Sequence, residues 1–287
     1  MQQYIFRQES CGSVLTIDIV SSQDPALAVQ ECFSLTQKFE QRYSRFIEGN
    51  RLDQVNASGE KSIELDDESY ALIKFLLGIA EKTGWIFDPT IISTLESYGY
   101  DKEYSFHRKE WWPLGYKHVE LKDHSLILHH GVQIEFGAIG KGYLLDVLSK
   151  SLLKAGFDHF LIDFGGDIIG YGGYEVWLEN PFDLWQIIGK ITVDGFAVAS
   201  SNGTKRKVGD FHHLLNAHTG TPVHDIAGVY IAAPTGLQAD TYSTAVFVSG
   251  AEQGKKLLEN TDGITGLIVF SDGSYRKKEQ YPGELFV

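Results

Sequence analysis

Cysteine is scarce in this chain. Among 287 residues there are two, Cys11 and Cys32, with one methionine and seven prolines. Two cysteines are too few for a disulfide framework or a cysteine-rich zinc site, and nothing obliges them to pair, which fits a reducing compartment. Long apolar runs are missing as well: no window approaches the roughly 18 residues that a membrane span needs. Positive charge is in deficit, with 25 Lys and Arg against 38 Asp and Glu and a formal charge of -13. That balance excludes a broad nucleic-acid or anionic-membrane surface and leaves room only for a local basic pocket. The first twenty residues carry Arg7, Glu9 and Asp18 where a secretory leader requires an unbroken apolar stretch. The expected compartment is therefore cytoplasmic, or periplasmic if a leader has been removed.

What is present is ordinary globular material. An apolar fraction of 43% and a charged fraction of 22% argue against disorder and fibrous repeats. The length is about two domains' worth and ample for a sizeable core without metal or disulfide staples. Residues 14–20 alternate apolar and polar as a half-buried strand does. Asp24-Pro25 then predicts a helix start, with Asp as N-cap and Pro at the first helical position. Val29, Cys32, Phe33, Phe39 and Tyr43 follow at helical spacing. A polar stretch, 44–62, precedes a second helix over 68–82 that Gly84 stops, with Tyr70, Ile73, Leu76, Leu77 and Ala80 on its apolar face. Residues 101–122 read as irregular structure with short strands.

From Gly137 a glycine-rich turn enters a helix that runs to Leu153 and ends at Gly156. A buried strand at 160–164 is broken by Gly165-Gly166-Asp167. Further strands are expected at 186–193, 197–200, 229–233 and 267–270, and helices at 240–249 and 252–259. The elements do not alternate as βαβ units, so the expected class is α+β, with mixed sheets packed against helices.

Four segments could carry chemistry. Gly137, Gly140 and Gly142 with Lys141 stand at a helix entry, where amides and the positive end of the helix dipole suit an anion; packing is the alternative, since this is not a Walker loop. Gly165-Gly166-Asp167 would let a ligand approach the backbone beside a carboxylate, or is simply a turn. Asp240 and Thr244, four apart, can offer a carboxylate and a hydroxyl to one hard cation; otherwise Asp240 is an N-cap and Thr244 bonds its own helix. His212, His213 and His218 cluster before a turn. On a strand His212 and His213 would face opposite ways, and neither a cysteine nor an H-E-x-x-H helix joins them, so a substrate-edge histidine is expected before zinc.

In order along the chain, these segments resemble the ApbE family, the FAD:protein FMN transferases. Tyr43-Ser44-Arg45-Phe46 through Asn56 is similar to that family's early F-S-R-[FY] block, and Phe87-Asp88-Pro89-Thr90 to its F-D-P-T. Residues 137–146, GAIGKGYLLD, match G-x-I-[AG]-K-G-Y-x-x-D; Gly165-Gly166-Asp167-Ile168 and Ala239-Asp240 through Thr244-Ala245 match two further blocks. Cys11-Gly12-Ser13 stands where the family has M-G-T, Ser200-Ser201-Asn202 where it has T-S-G, and in Asn216-Ala217-His218 the last two residues replace a proline and a basic residue. His218 could supply charge there when protonated.

The resemblance implies one ApbE-like, T-fold-related flavin transferase domain over 1–287, built as a single body or as two intimately packed lobes with the FAD cleft between them. It implies Mg2+ held by Asp240, Thr244 and the carbonyl of Ala138. It also implies an FAD site lined by Lys141, Gly165, Gly166, Asp167 and Ser200, with Asp88 and Thr90 shaping its wall. The implied reaction moves FMN from FAD to a Thr or Ser hydroxyl of an acceptor flavoprotein and releases AMP. Asp240 serves the metal and His213 orients or deprotonates the acceptor, an imidazole's ordinary pKa of about 6.5 suiting it to that role. Two alternatives stay open: a magnesium-dependent FAD pyrophosphatase giving FMN and AMP, and a noncatalytic FAD-binding protein.

Overall fold

The alternation expected at 14–20 belongs to a hairpin that starts at the second residue. Strand β1 (Gln2–Ser10) pairs antiparallel with β2 (Ser13–Ser21). β1 is a sheet edge whose residues are mostly exposed, so its sequence carries little apolar signal. The computed structural model describes residues 1–100, 105, 115, 118–204 and 211–286. Helix α1 (Ala26–Tyr43) begins one residue later than expected, so Pro25 and not Asp24 is its N-cap; Asp24, one residue outside, accepts the Ala26 N–H at 2.9 Å. Its buried side chains, Val29, Cys32, Thr36, Phe39 and Tyr43, fall on one stripe.

The polar stretch conceals a short helix, α2 (Arg51–Asn56), capped by the Asn50 side chain, which accepts from Asp53 N–H. Strand β3 (Ile63–Glu64) leads to α3 (Asp67–Lys82), capped by Asp66 and ended at Gly84, as expected. Helix α4 (Ile92–Ser97) follows. Of the expected short strands in 101–122, β4 (Val119–Lys122) is present and pairs with β5 (Ser125–Leu128); most of 101–117 lies outside the described residues.

Helix α5 (Gly140–Lys154) enters from the glycine-rich turn. Strand β6 (Phe160–Phe164) and β7 (Asp167–Tyr171) form a hairpin through Gly165 and Gly166, both with positive φ, +66° and +95°. The break after the buried strand is thus a two-residue turn of the kind glycine supports without strain. Strands β8 (Tyr174–Asn180), β9 (Asp183–Val193) and β10 (Phe196–Asn202) come next, then β11 (Leu215–Asn216), β12 (Thr221–Pro222) and β13 (Ile226–Ala233). Helices α6 (Gly236–Val248) and α7 (Gly250–Asn260) precede β14 (Thr265–Phe270), β15 (Tyr275–Lys277) and β16 (Gly283–Leu285). The expected strands at 186–193, 197–200, 229–233 and 267–270 start one to three residues too late, and the second also ends two residues short of Asn202.

The main sheet has the order β1-β2-β6-β7-β10-β13-β14-β15, and each pairing in it is antiparallel. Along β13, Val229, Ile231 and Ala233 enter the larger core on the helical side. Tyr230 and Ala232 enter a second core beneath the small sheet β16-β9-β8. Burial on both faces explains why 229–233 reads as a continuous apolar run while β2 alternates. The class is α+β, as expected.

Candidate active site

Two glycines decide how the site is assembled. Where α5 crosses α6, a Cβ on Gly142 would stand 2.2 Å from the Gly236 carbonyl oxygen, and one on Gly236 would stand 2.4 Å from that of Gly142. Only bare backbone lets the helices approach this closely. Asp146, one turn further along α5, accepts the N–H groups of Gly236 (2.6 Å) and Leu237 (3.0 Å), so it satisfies the open amides at the start of α6. Burial pushes the Asp146 carboxyl up from its ordinary pKa, against the lowering by those amides.

The crossing brings Asp240 to the start of α5. Its Oδ2 accepts the Gly142 N–H at 2.9 Å, and its Oδ1 lies 3.5 Å from Lys141 Nζ. Asp240 is not an N-cap: α6 starts four residues earlier, where the Thr235 hydroxyl accepts from Gln238 N–H. Lys141 also forms an ion pair with Asp167, whose other oxygen accepts the Ser200 N–H at 3.3 Å. Asp167 is 1% exposed and Asp240 4%, so one ammonium faces two carboxylates withdrawn from water. The entry to α5 is more scaffold than cradle, because Gly140 N–H already donates to Phe136 O and Gly142 N–H to Asp240.

These groups stand on one side of a cleft of about 710 Å³. Of the residues expected at a site, Asp88, Ala138, Lys141, Gly165, Ser200, His213, Asp240 and Thr244 all line it. Gly166, Asp167 and Thr90 do not. Asp167 lies behind Lys141, and Thr90 supports Asp88 by donating its N–H (2.8 Å) and hydroxyl (2.7 Å) to the Asp88 carboxylate. Thr244 Oγ1 is 3.4 Å from Ser201 Oγ.

The histidines separate. His212 is buried, with Nε2 2.9 Å from the Val223 carbonyl and Nδ1 accepting from Leu214 N–H, so it braces a loop and not a strand. His213 reaches the cleft and stacks on Tyr100 with centroids 5.9 Å apart. His218 lies on an exposed turn away from the cleft lining, so the charge expected of it is not at the wall.

Sequence reasoning missed three lining residues with defined partners. Arg45 donates to the Tyr100 carbonyl at 2.8 Å and lies over the Phe46 and Tyr100 rings. Glu135 approaches Arg45 at 3.9 Å. Glu40, on the last turn of α1, bonds the β1–β2 turn. Arg45 was visible in the early block, but nothing in spacing tied Glu40 or Glu135 to a site.

Comparison with known proteins fits this geometry. The chain is 26% identical to the FAD:protein FMN transferase of Treponema pallidum, over 96% of this chain and 87% of that protein. A Klebsiella pneumoniae protein of the same name is 28% identical over 48% of this chain and 46% of its own length. The crystal structure of the ApbE protein from Thermotoga maritima superposes with a TM-score of 0.90, at 27% identity, over 98% of both chains. The model of the ApbE family matches residues 11–268, so this chain belongs to the ApbE family.

Proposed function

We propose that this chain is a FAD:protein FMN transferase, which joins FMN from FAD to a Thr or Ser hydroxyl of an acceptor flavoprotein and releases AMP. The observation that carries the reading is Lys141 bridging Asp167 and Asp240 at the wall of a cleft large enough for a dinucleotide. Among the described residues one ammonium, Lys141, stands against the two carboxylates, and added positive charge beside it would favour a pyrophosphate. Three residues that line the cleft could offer hard oxygens: Asp240 its carboxylate, Thr244 its hydroxyl and Ala138 its carbonyl. Such a set suits Mg2+, and its single carboxylate leaves coordination positions for phosphate oxygens. A magnesium ion bound there would offset charge developing on the departing AMP phosphate.

The remaining work falls to this chain's own groups. Lys141 supplies a fixed positive charge on the pyrophosphate side, held in place by Asp167. Gly165 keeps the backbone low where the nucleotide passes, and Asp88, held by Thr90, helps shape the wall. Ser200 anchors Asp167 through its amide and so keeps Lys141 oriented. His213 orients the acceptor hydroxyl and takes its proton as the oxygen bonds to the riboflavin-side phosphorus. The phosphoanhydride bond to AMP breaks in the same exchange, and no electron changes hands.

The test is incubation of the chain with FAD and Mg2+, with and without a candidate flavoprotein, followed by intact mass measurement. Labelled acceptor with one AMP released per label, abolished by chelation and restored by Mg2+, is the expected result. Free FMN without labelling makes the chain a hydrolase, and tight FAD binding without AMP release makes it a binding protein.

A further inference from the structure

The β1–β2 turn is built against the preferences of its own residues. Ser10 pairs with Ser13, leaving Cys11 and Gly12 as the two central residues, with φ of +50° and +66°. A two-residue hairpin with both φ positive is the type favoured by Asn-Gly and Asp-Gly, whose first residue tolerates the left-handed region. Cysteine has no such tolerance, so something outside the turn must hold it.

Glu40 does so. Its Oε2 accepts the Ser10 hydroxyl at 2.6 Å and its Oε1 accepts the Cys11 N–H at 2.7 Å, so both oxygens are engaged by the turn. The frame behind Glu40 is rigid: Phe39 packs on Tyr43 and Tyr143, and Tyr43 on Phe136, with ring centroids 5.0 to 5.5 Å apart. On the turn's other flank, Gly165 donates its N–H to the Val14 carbonyl at 3.2 Å, and a Cβ on Gly165 would meet Ser13 Oγ at 2.1 Å. The turn is therefore wedged between α1 and the Gly165-Gly166 turn, and Cys11, Gly12, Glu40 and Gly165 all line the cleft.

We propose that Glu40 is a positioning residue: by gripping Ser10 and Cys11 it fixes the hairpin tip as one wall of the cleft and thereby sets affinity for the flavin nucleotide without entering the chemical step. The inference rests on the flavin-transferase reading for the identity of the ligand, but not for the anchoring itself. Direct contact with the nucleotide is disfavoured, because a carboxylate turned toward a pyrophosphate would repel it.

The test compares the wild type with Glu40→Ala, Glu40→Gln and the double variant Glu40→Ala/Cys11→Asn. FAD affinity is read by flavin fluorescence, kcat and KM by AMP release, and the Cys11 amide by hydrogen exchange without ligand. Losing two charge-assisted bonds in Glu40→Ala should weaken FAD binding and raise its KM about tenfold, with kcat within about twofold and Cys11 exchanging faster. Glu40→Gln keeps one acceptor oxygen and should lose less. Asn at position 11 adopts the left-handed conformation readily, so the double variant should recover most of the affinity.

Unchanged affinity in Glu40→Ala, or faster exchange without weaker binding, overturns the proposal. So does a fall in kcat at constant KM, which would put Glu40 in the chemistry. If Glu40→Ala does not fold, Glu40→Gln decides by the same readouts. Absence of FAD binding by the wild type overturns the flavin reading, and the exchange measurement still decides whether Glu40 holds the turn.

Discussion

Gly142 donates its backbone N–H to the Asp240 carboxylate at a helix crossing where neither backbone has room for a side chain. One residue thus places the carboxylate, and a missing Cβ makes the placement possible. Replacing Asp240 tests both halves. Asp240→Asn retains an oxygen for the Gly142 amide but loses the charge, so the fold should hold while turnover falls by more than about a hundredfold. Asp240→Ala strands a buried N–H and should also cost about 1–3 kcal/mol of stability in urea unfolding. Equal turnover in the wild type and Asp240→Asn would remove the carboxylate from the reaction.

The crossing itself predicts a contrast between two glycines. A methyl group at Gly142 has no route out, since it meets backbone on one side and the Asp240 Cβ at 2.6 Å on the other. Gly142→Ala should therefore destabilise by about 1–3 kcal/mol, the usual range of overpacking. Gly78, inside α3, has nothing within 4 Å of its ideal Cβ and no positive φ. Gly78→Ala should stabilise by about 0.5–1 kcal/mol through lower chain entropy and better helix propensity. Denaturant midpoints at constant m-value measure both.

Asp146 links the same helices by a different bond. Asp146→Ala leaves two amides at the start of α6 without their acceptor and should cost about 1–2 kcal/mol, as loss of a helix cap does. Asp146→Asn keeps one acceptor oxygen and avoids a carboxylate whose charged form burial disfavours. It should cost less than the alanine variant in the same unfolding measurement. An equal loss would mean that charge, and not hydrogen bonding, holds α6.

These relationships show where sequence reading reaches and where it stops. The stripe from Val29 to Tyr43 and the run at 229–233 announce their elements, because core burial is written in local periodicity. The resemblance blocks named most of the cleft lining. β1 and α2 escaped because an exposed edge strand and a short polar helix have little apolar pattern to read. Glu40 escaped for a different reason: its partners lie 29 and 30 residues away, and no local rule connects a helical glutamate to a hairpin turn. The blocks put Asp167 in the site, but in the fold it ion-pairs with Lys141 and is not among the residues that line the cleft.

The two thiols give a prediction in pH. Burial pushes Cys11 up to about 11 from its ordinary 9.0, with the Ser10 hydrogen bond opposing and Glu40 adding to the rise. Burial raises Cys32 likewise, to about 11, against a lowering by Ser151. A thiol whose folded pKa stands above its unfolded value contributes in full to stability below pH 9, and that contribution is lost as pH climbs through 11. Urea unfolding midpoints should therefore fall between pH 9 and 11, and replacing both cysteines with alanine should flatten that part of the profile. Reactivity follows the same direction, since the thiolate is the nucleophile. At pH 8 iodoacetamide should label Cys11 and Cys32 far more slowly in the folded chain than in urea, as peptide mass mapping would show. Rapid labelling of Cys11 in the folded chain at that pH would mean that its turn opens to solvent.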